Sequence, residues 1–187
     1  FYIADTTGGT TPLVIDKSGN VGIGTTSPGR TVSIYKASNP VLQLINSTTG
    51  SADSDGFLLT QNGLDSYLEN TEAGNMYFRT SATNRMTLNS SGSLGIGTTS
   101  PEANLHVYNG VSNGATANAN STLVLENNTN SYLQFKTPTT AESGLLFGDS
   151  DNDRGALTYN HSVDRMYFRA SAGTRMTLSG NGSLGVG

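Results

Sequence analysis

Met76-Tyr77-Phe78-Arg79-Thr80-Ser81-Ala82-Thr83-Asn84-Arg85-Met86-Thr87-Leu88-Asn89-Ser90-Ser91-Gly92-Ser93-Leu94-Gly95-Ile96 is the stretch that decides the fold. Met76 and Phe78 alternate with Tyr77 and Arg79. Met86 and Leu88 alternate with Arg85 and Thr87, and Leu94 and Ile96 with Ser93 and Gly95. A period of two sends successive side chains to opposite faces of a strand. The polar stretches Thr80 to Asn84 and Asn89 to Gly92 are of hairpin length. The block therefore reads as a β-meander with one apolar, inward face.

The block occurs twice. Met166-Tyr167-Phe168-Arg169, Arg175-Met176-Thr177-Leu178 and Gly182-Ser183-Leu184-Gly185-Val186 repeat it, and Met-to-Gly spacing is 16 residues in both copies. Leu13 and Ile15, then Lys17-Ser18-Gly19-Asn20, then Val21 and Ile23 repeat its last hairpin once more. Pro28 and Pro101 lie 73 residues apart, whereas Met76 and Met166 lie 90 apart. The 17-residue difference (90 − 73) falls between the Pro and the Met. Such repeats imply stacked supersecondary units. The expected organisation is residues 1–24 as the last hairpin of a preceding repeat, 25–97 as a first repeat and 98–187 as a second. The motif breaks off at Gly187, which suggests a segment of a longer polypeptide.

Between the Pro and the Met the strand pattern continues. Val32 and Ile34 match Leu105 and Val107, and Leu42 and Leu44 match Leu123 and Leu125. Phe57 and Leu59 and the segment around Tyr67-Leu68 then face three expected strands, Leu133 to Phe135, Leu145 to Phe147 and Leu157 to Tyr159. The second copy is thus expected to carry one added strand and a longer loop near Asn109 to Asn120. No helical stripe is present. The fold class is all-β.

Composition narrows the function. Charged residues are 13% of the chain and the net charge is −4. The seven Arg and three Lys are scattered, so no basic stripe suits nucleic acid. No run approaches the roughly 20 apolar residues that cross a bilayer. The absence of Cys excludes disulfides and thiolate metal sites. Gly, Asn and Ser abound, as many short strands joined by turns require.

Gly22/Gly24, Gly95/Gly97 and Gly185/Gly187 mark a repeated step, followed in two copies by Thr-Thr-Ser-Pro. Glycine permits close backbone approach, and Pro ends a ladder. The expectation is a corner where chains crowd around a symmetry axis. The strands have one apolar face each and need cover, which stacked repeats and identical chains could supply.

These motifs resemble a known family. Arg-Met-x-Leu, a short turn, Gly-Ser/Asn-Leu/Val-Gly-Ile-Gly-Thr-Thr-Ser-Pro and then Leu105-His106-Val107 resemble the repeats of bacteriophage tail-fibre and related appendage proteins. Gly155-Ala156-Leu157-Thr158-Tyr159-Asn160-His161-Ser162, leading into Met166-Tyr167-Phe168, is similar to the same family. The resemblance implies an elongated, intertwined homotrimeric fibre of β-meanders, β-prism or triple β-helix. It implies partners in itself, in other fibre or virion proteins and, through regions outside this segment, in a host-surface glycan or receptor. The implied location is an extracellular virion tail or appendage. A fibrous bacterial surface adhesin or extracellular filament is the alternative, and a polysaccharide-degrading tailspike a third reading.

No catalytic, cofactor or metal site is expected. Gly22-Ile23-Gly24-Thr25-Thr26-Ser27 looks like a dinucleotide fingerprint, but a strand follows it where a helix is needed. Asp149-Ser150-Asp151-Asn152-Asp153-Arg154-Gly155 has the alternating carboxylates of a calcium loop, with Arg154 and Asn160 where Gly and Glu belong. His106 lies between inward residues and should face outward, where three copies could meet a metal at a trimer axis. His161 is the other histidine. Glu69, Glu72, Asp149 and Asp151 could form a glycosidase pair, but acidic turns explain them. Phe78 and Phe168 read as core, with Tyr77 and Tyr167 on the opposite face.

Overall fold

Strands form wherever the alternation is found, with one exception. The computed structural model describes residues 2–3, 13–112, 114 and 116–187. The rest, which include part of the expected 1–24 unit and two positions of the Asn109 to Asn120 loop, lie outside the described residues. The chain divides into two compact units, Phe1–Thr129 and Asn130–Gly187.

Among the described residues the first unit holds three sheets. Sheet A joins β1 (Tyr2–Ile3), β2 (Leu13–Ile15), β3 (Val21–Ile23) and β4 (Val32–Ile34) in that order. Sheet B joins β5 (Val41–Leu44), β6 (Phe57–Asn62) and β7 (Asp65–Asn70). Sheet C joins β8 (Met76–Thr80), β9 (Thr83–Leu88), β10 (Leu94–Ile96), β11 (Leu105–Tyr108) and β12 (Leu123–Glu126). The boundary expected between residues 97 and 98 thus falls inside sheet C. The second unit is sheet D, an antiparallel meander of β13 (Glu142–Phe147), β14 (Gly155–Asn160), β15 (Arg165–Ala170), β16 (Gly173–Ser179) and β17 (Leu184–Val186). Among the described residues there is no helix, so the all-β expectation holds.

The expected strand Leu133 to Phe135 is not formed; those residues join no ladder. The second copy therefore gains a loop but no strand. The meander also stops at β10, because β10 to β11 and β11 to β12 pair in parallel. β3 and β4 pair in parallel too. Parallel neighbours ordinarily need a crossover of about a dozen residues or more. Here residues 97–104 suffice, because the return along a three-residue strand is only about 10 Å at about 3.3 Å per residue.

One hairpin turn is built three times. The carbonyls of Asp16, Asn89 and Ser179 accept from the N–H groups of Gly19, Gly92 and Gly182 at 3.1, 3.0 and 2.9 Å. These three glycines have φ of 83°, 86° and 84°, in the left-handed region. Asp16 and Asn89 add a side-chain oxygen that accepts from backbone N–H groups two and four residues on. Asx geometry of this kind is why Asp and Asn begin such turns.

Burial departs from expectation. In sheet C, Thr87 and His106 are 0% and 2% exposed, while Phe78 on the apolar face is 48% exposed. Thr87 pairs with Gly95, and Gly95 with His106, so the buried positions share the polar face. The other sheets repeat this: the buried residues are Val14 opposite Gly22, Leu58 opposite Gln43 and Glu69, and Ala156 with Thr158. Loops return over the polar faces. Among the described residues of each unit, the strong contacts between strands run within a sheet and not between sheets, although domains are ordinarily two packed layers.

Candidate functional site

The most extensive feature is the apolar face of sheet C. Its register aligns Met76, Leu88, Leu94, Leu105 and Leu123 in one row across five strands. Phe78, Met86, Ile96, Val107 and Leu125 form a second row beside it. At about 4.8 Å between strands each row runs about 19 Å. No polar side chain interrupts either row. Phe78, Leu88, Ile96, Leu123 and Leu125 are all exposed. Five of the ten residues read as inward from sequence are therefore exposed on this face.

Sheet D repeats the design. Leu145, Leu157, Phe168, Met176 and Val186 form one row, and Tyr159, Met166, Leu178 and Leu184 another. Phe168, expected in the core, is exposed, as are Leu145, Leu178, Leu184 and Val186. Contiguous apolar faces of this extent mark interaction surfaces.

The glycine steps are explained within the chain. A Cβ on Gly95 would meet the Thr98 carbonyl at 2.5 Å. One on Gly97, whose φ is 79°, would strike the Tyr108 carbonyl, and Gly24 and Tyr35 repeat that relation. A Cβ on Gly185 would meet nothing. The corner needs glycine because the Thr-Thr-Ser-Pro turn folds back over its own strand. The crowding expected from neighbouring chains is not required for it.

His106 does not face outward. It is buried at 2% exposure, beside Glu102, Val111, Gly114, Thr116 and Glu126. The Glu102 N–H donates to Nδ1 at 3.3 Å, which places the ring proton on Nε2. Nε2 lies 3.0 Å from Glu126 Oε2. The other Glu126 oxygen accepts from Ser112 N–H at 2.8 Å, and Glu102 accepts from Ala117 N–H at 2.7 Å. The Ser112 N–H and then His106 hold the Glu126 carboxyl below its usual range. This clamp ties the loop to the sheet. The sequence held a signal for it. Ser33 becomes His106, Gly29 becomes Glu102 and Ile45 becomes Glu126 in the very copy that carries the longer loop.

The remaining candidates are engaged locally. Asp149 accepts from Asp151 N–H at 2.9 Å, and Asp153 pairs with Arg169 at 2.9 Å. Glu72 accepts from Gly56 N–H at 2.9 Å, while Glu69 lies on β7 opposite Leu58. Among the described residues no three His, Asp or Glu side chains converge as a metal site would need. Ser143 Oγ and His161 Nε2 lie 3.4 Å apart. Asp164, the nearest carboxylate in sequence, accepts from the Tyr159 hydroxyl and raises that phenol above its ordinary pKa. A relay needs a carboxylate on the imidazole, and this one serves a tyrosine. Tyr77 is exposed and accepts from Asn75 Nδ2 at 3.0 Å. Tyr167 is half-buried on the Thr158 side of sheet D. After Gly24 the chain passes through a turn into β4, with no helix for a nucleotide. No helix among the described residues is long and apolar enough to cross a membrane.

No protein-family model matches the chain, and no curated protein aligns with it significantly.

Proposed function

We propose that this chain is a shaft segment of a homotrimeric phage tail fibre or similar virion appendage, an extracellular structural element that supports host attachment. The observation that carries the reading is the pair of uninterrupted apolar rows on sheet C, with their counterparts on sheet D. Burying a large apolar side chain is worth about 1.5–3 kcal/mol, so ten of them on one face form a strong drive to associate. Identical chains offer identical faces, and closed rotational symmetry lets each be covered by the next. The repeat motifs resemble those of the fibre family, and that resemblance carries the expectation of three chains.

In this reading the work is mechanical. Stacked sheets hold a binding tip away from the particle, and the tip, not the shaft, touches the host glycan or receptor. Other virion proteins join the shaft at its ends. No bond is made or broken.

Immunogold electron microscopy with antibody to the chain tests the assignment. Label along tail appendages of purified particles is the expected result. Label on uninfected bacterial surfaces, with none on particles, would replace it with a bacterial filament.

A further inference from the structure

Leu133-Gln134-Phe135 stands outside every ladder, and Leu133 and Phe135 are exposed. The same local pattern, Leu42-Gln43-Leu44, lies in β5. There it pairs with β6, with Leu42 opposite Leu59, Gln43 opposite Leu58 and Leu44 opposite Phe57. The Gln43 amide donates to the Ala52 and Asp55 carbonyls at 2.7 and 2.8 Å. Beside that strand Leu58 is 8% exposed. Gly144-Leu145-Leu146-Phe147 of β13 matches Gly56-Phe57-Leu58-Leu59. β13 is an edge strand of sheet D, and Leu146 is 60% exposed. One repeat has both strand and edge joined. The other has the strand and the edge apart.

The intervening turn opposes closure within one chain. Ala141 N–H donates to the Pro138 carbonyl at 3.0 Å, which places Thr139 and Thr140 at the centre of the turn. Two-residue hairpins favour positive φ at a central position. Neither threonine is among the residues with positive φ, and both are β-branched. Pro138 has no N–H to give a ladder. Across this turn Leu133–Phe135 makes no ladder with its own β13.

We propose that residues 133–135 of one copy add as an outer strand to β13 of a neighbouring copy. Gln134 then lies opposite Leu146, Phe135 opposite Leu145 and Leu133 opposite Phe147. Main-chain hydrogen bonds hold such an added strand, and alternate side chains set its register. Phe135 and Leu133 extend the apolar face of sheet D. Each copy gives a strand and receives one, so donation around a ring closes. The inference rests on the homo-oligomeric reading above and names the element that links its copies.

The chain has no cysteine, so introduced thiols report cleanly. Opposed residues of antiparallel strands have Cα atoms about 4.5–5.5 Å apart, within disulfide range. Oxidised Gln134→Cys/Leu146→Cys is expected to shift from a one-chain band to two- and three-chain bands that collapse on reduction. Each single variant stays a one-chain band. A disulfide within one chain would overturn the proposal. So would no disulfide in a protein whose native mass still counts several chains, and that result leaves the fibre reading standing. A single-chain native mass would sink both. Hydrogen exchange of the unmodified assembly gives an answer independent of the cysteines. Amides of 133–135 and 145–147 should exchange at least about tenfold more slowly than those of the Asp149–Asn152 turn, and equal rates overturn the proposal.

Discussion

The imidazole of His106 lies 3.0 Å from the carboxylate of Glu126, on the face of sheet C that the chain itself covers. The opposite face carries ten apolar side chains, five of them exposed. This inversion organises the behaviour expected of the protein. Polar contacts hold the chain's loops in place, and in the proposed reading the apolar face is left for other copies.

Acid should release the loop before it melts the sheet. Glu126 is held below its ordinary value of 4.5, first by the Ser112 N–H and then by His106. A lowered folded-state value stabilises the clamp fully above the ordinary value. That contribution is lost as pH falls from 4.5 through the folded value. Proteolysis of the Asn109 to Asn120 loop should therefore accelerate below about pH 4.5. In Glu126→Gln the loop should already be labile at neutral pH, with little further change on acidification. An unchanged acid profile in that variant would remove Glu126 from the clamp.

A charge in the middle of an apolar row should separate chains without unfolding strands. Ile96 is 38% exposed in the lone chain, so Ile96→Asp costs little there. In an assembly the carboxylate would be buried unpaired, at a cost of several kcal/mol. Light scattering should show loss of oligomer while circular dichroism keeps its strand signal. An intact oligomer would place the interface elsewhere.

The two ends of the repeated glycine step should respond differently to one methyl group. Gly95→Ala pushes a Cβ onto the Thr98 carbonyl and should lower stability by about 1–3 kcal/mol. Gly185→Ala meets open space and should stay within about 0.5 kcal/mol of the parent. Thermal unfolding of the two variants gives the comparison. Equal effects would mean that neighbouring chains crowd both sites.

The β8–β9 hairpin carries a removable strain. Ser81 and Ala82 have φ of 49° and 60°, and Ser171 and Ala172 in the second copy have 51° and 56°. A left-handed L-residue costs about 1–2 kcal/mol, and glycine returns about 0.4–1 of that through the unfolded chain. Ala82→Gly should therefore stabilise by about 0.5–1 kcal/mol, read as a rise in midpoint denaturant concentration. A loss of stability would mean that the methyl group makes a contact worth more than the strain.

Strands were legible because period two survives in very short segments, down to Leu94-Gly95-Ile96. The turn glycines were legible because Gly19, Gly92 and Gly182 recur at one place in three copies. The covered face was not. Alternation says that a strand has two unlike faces, and inwardness was assigned to the apolar one. That assignment assumes a second layer over the apolar face, yet on sheet C five of the ten residues of that face are exposed. The expectation that His106 faces outward rests on the same assumption. Side chains alone mark Leu133 to Phe135 as a strand, but pairing needs a partner edge, and across the Pro138 turn none is joined. The parallel step from β10 to β11 was hidden because so short a return is possible only where the strand is three residues long.

Native mass spectrometry of the purified chain tests the central claim most directly. One chain weighs 19.5 kDa. The account predicts a species of three times that mass that persists on dilution, with no folded single chain beside it. A stable, folded species at the mass of one chain, with its apolar rows open to water, would contradict it.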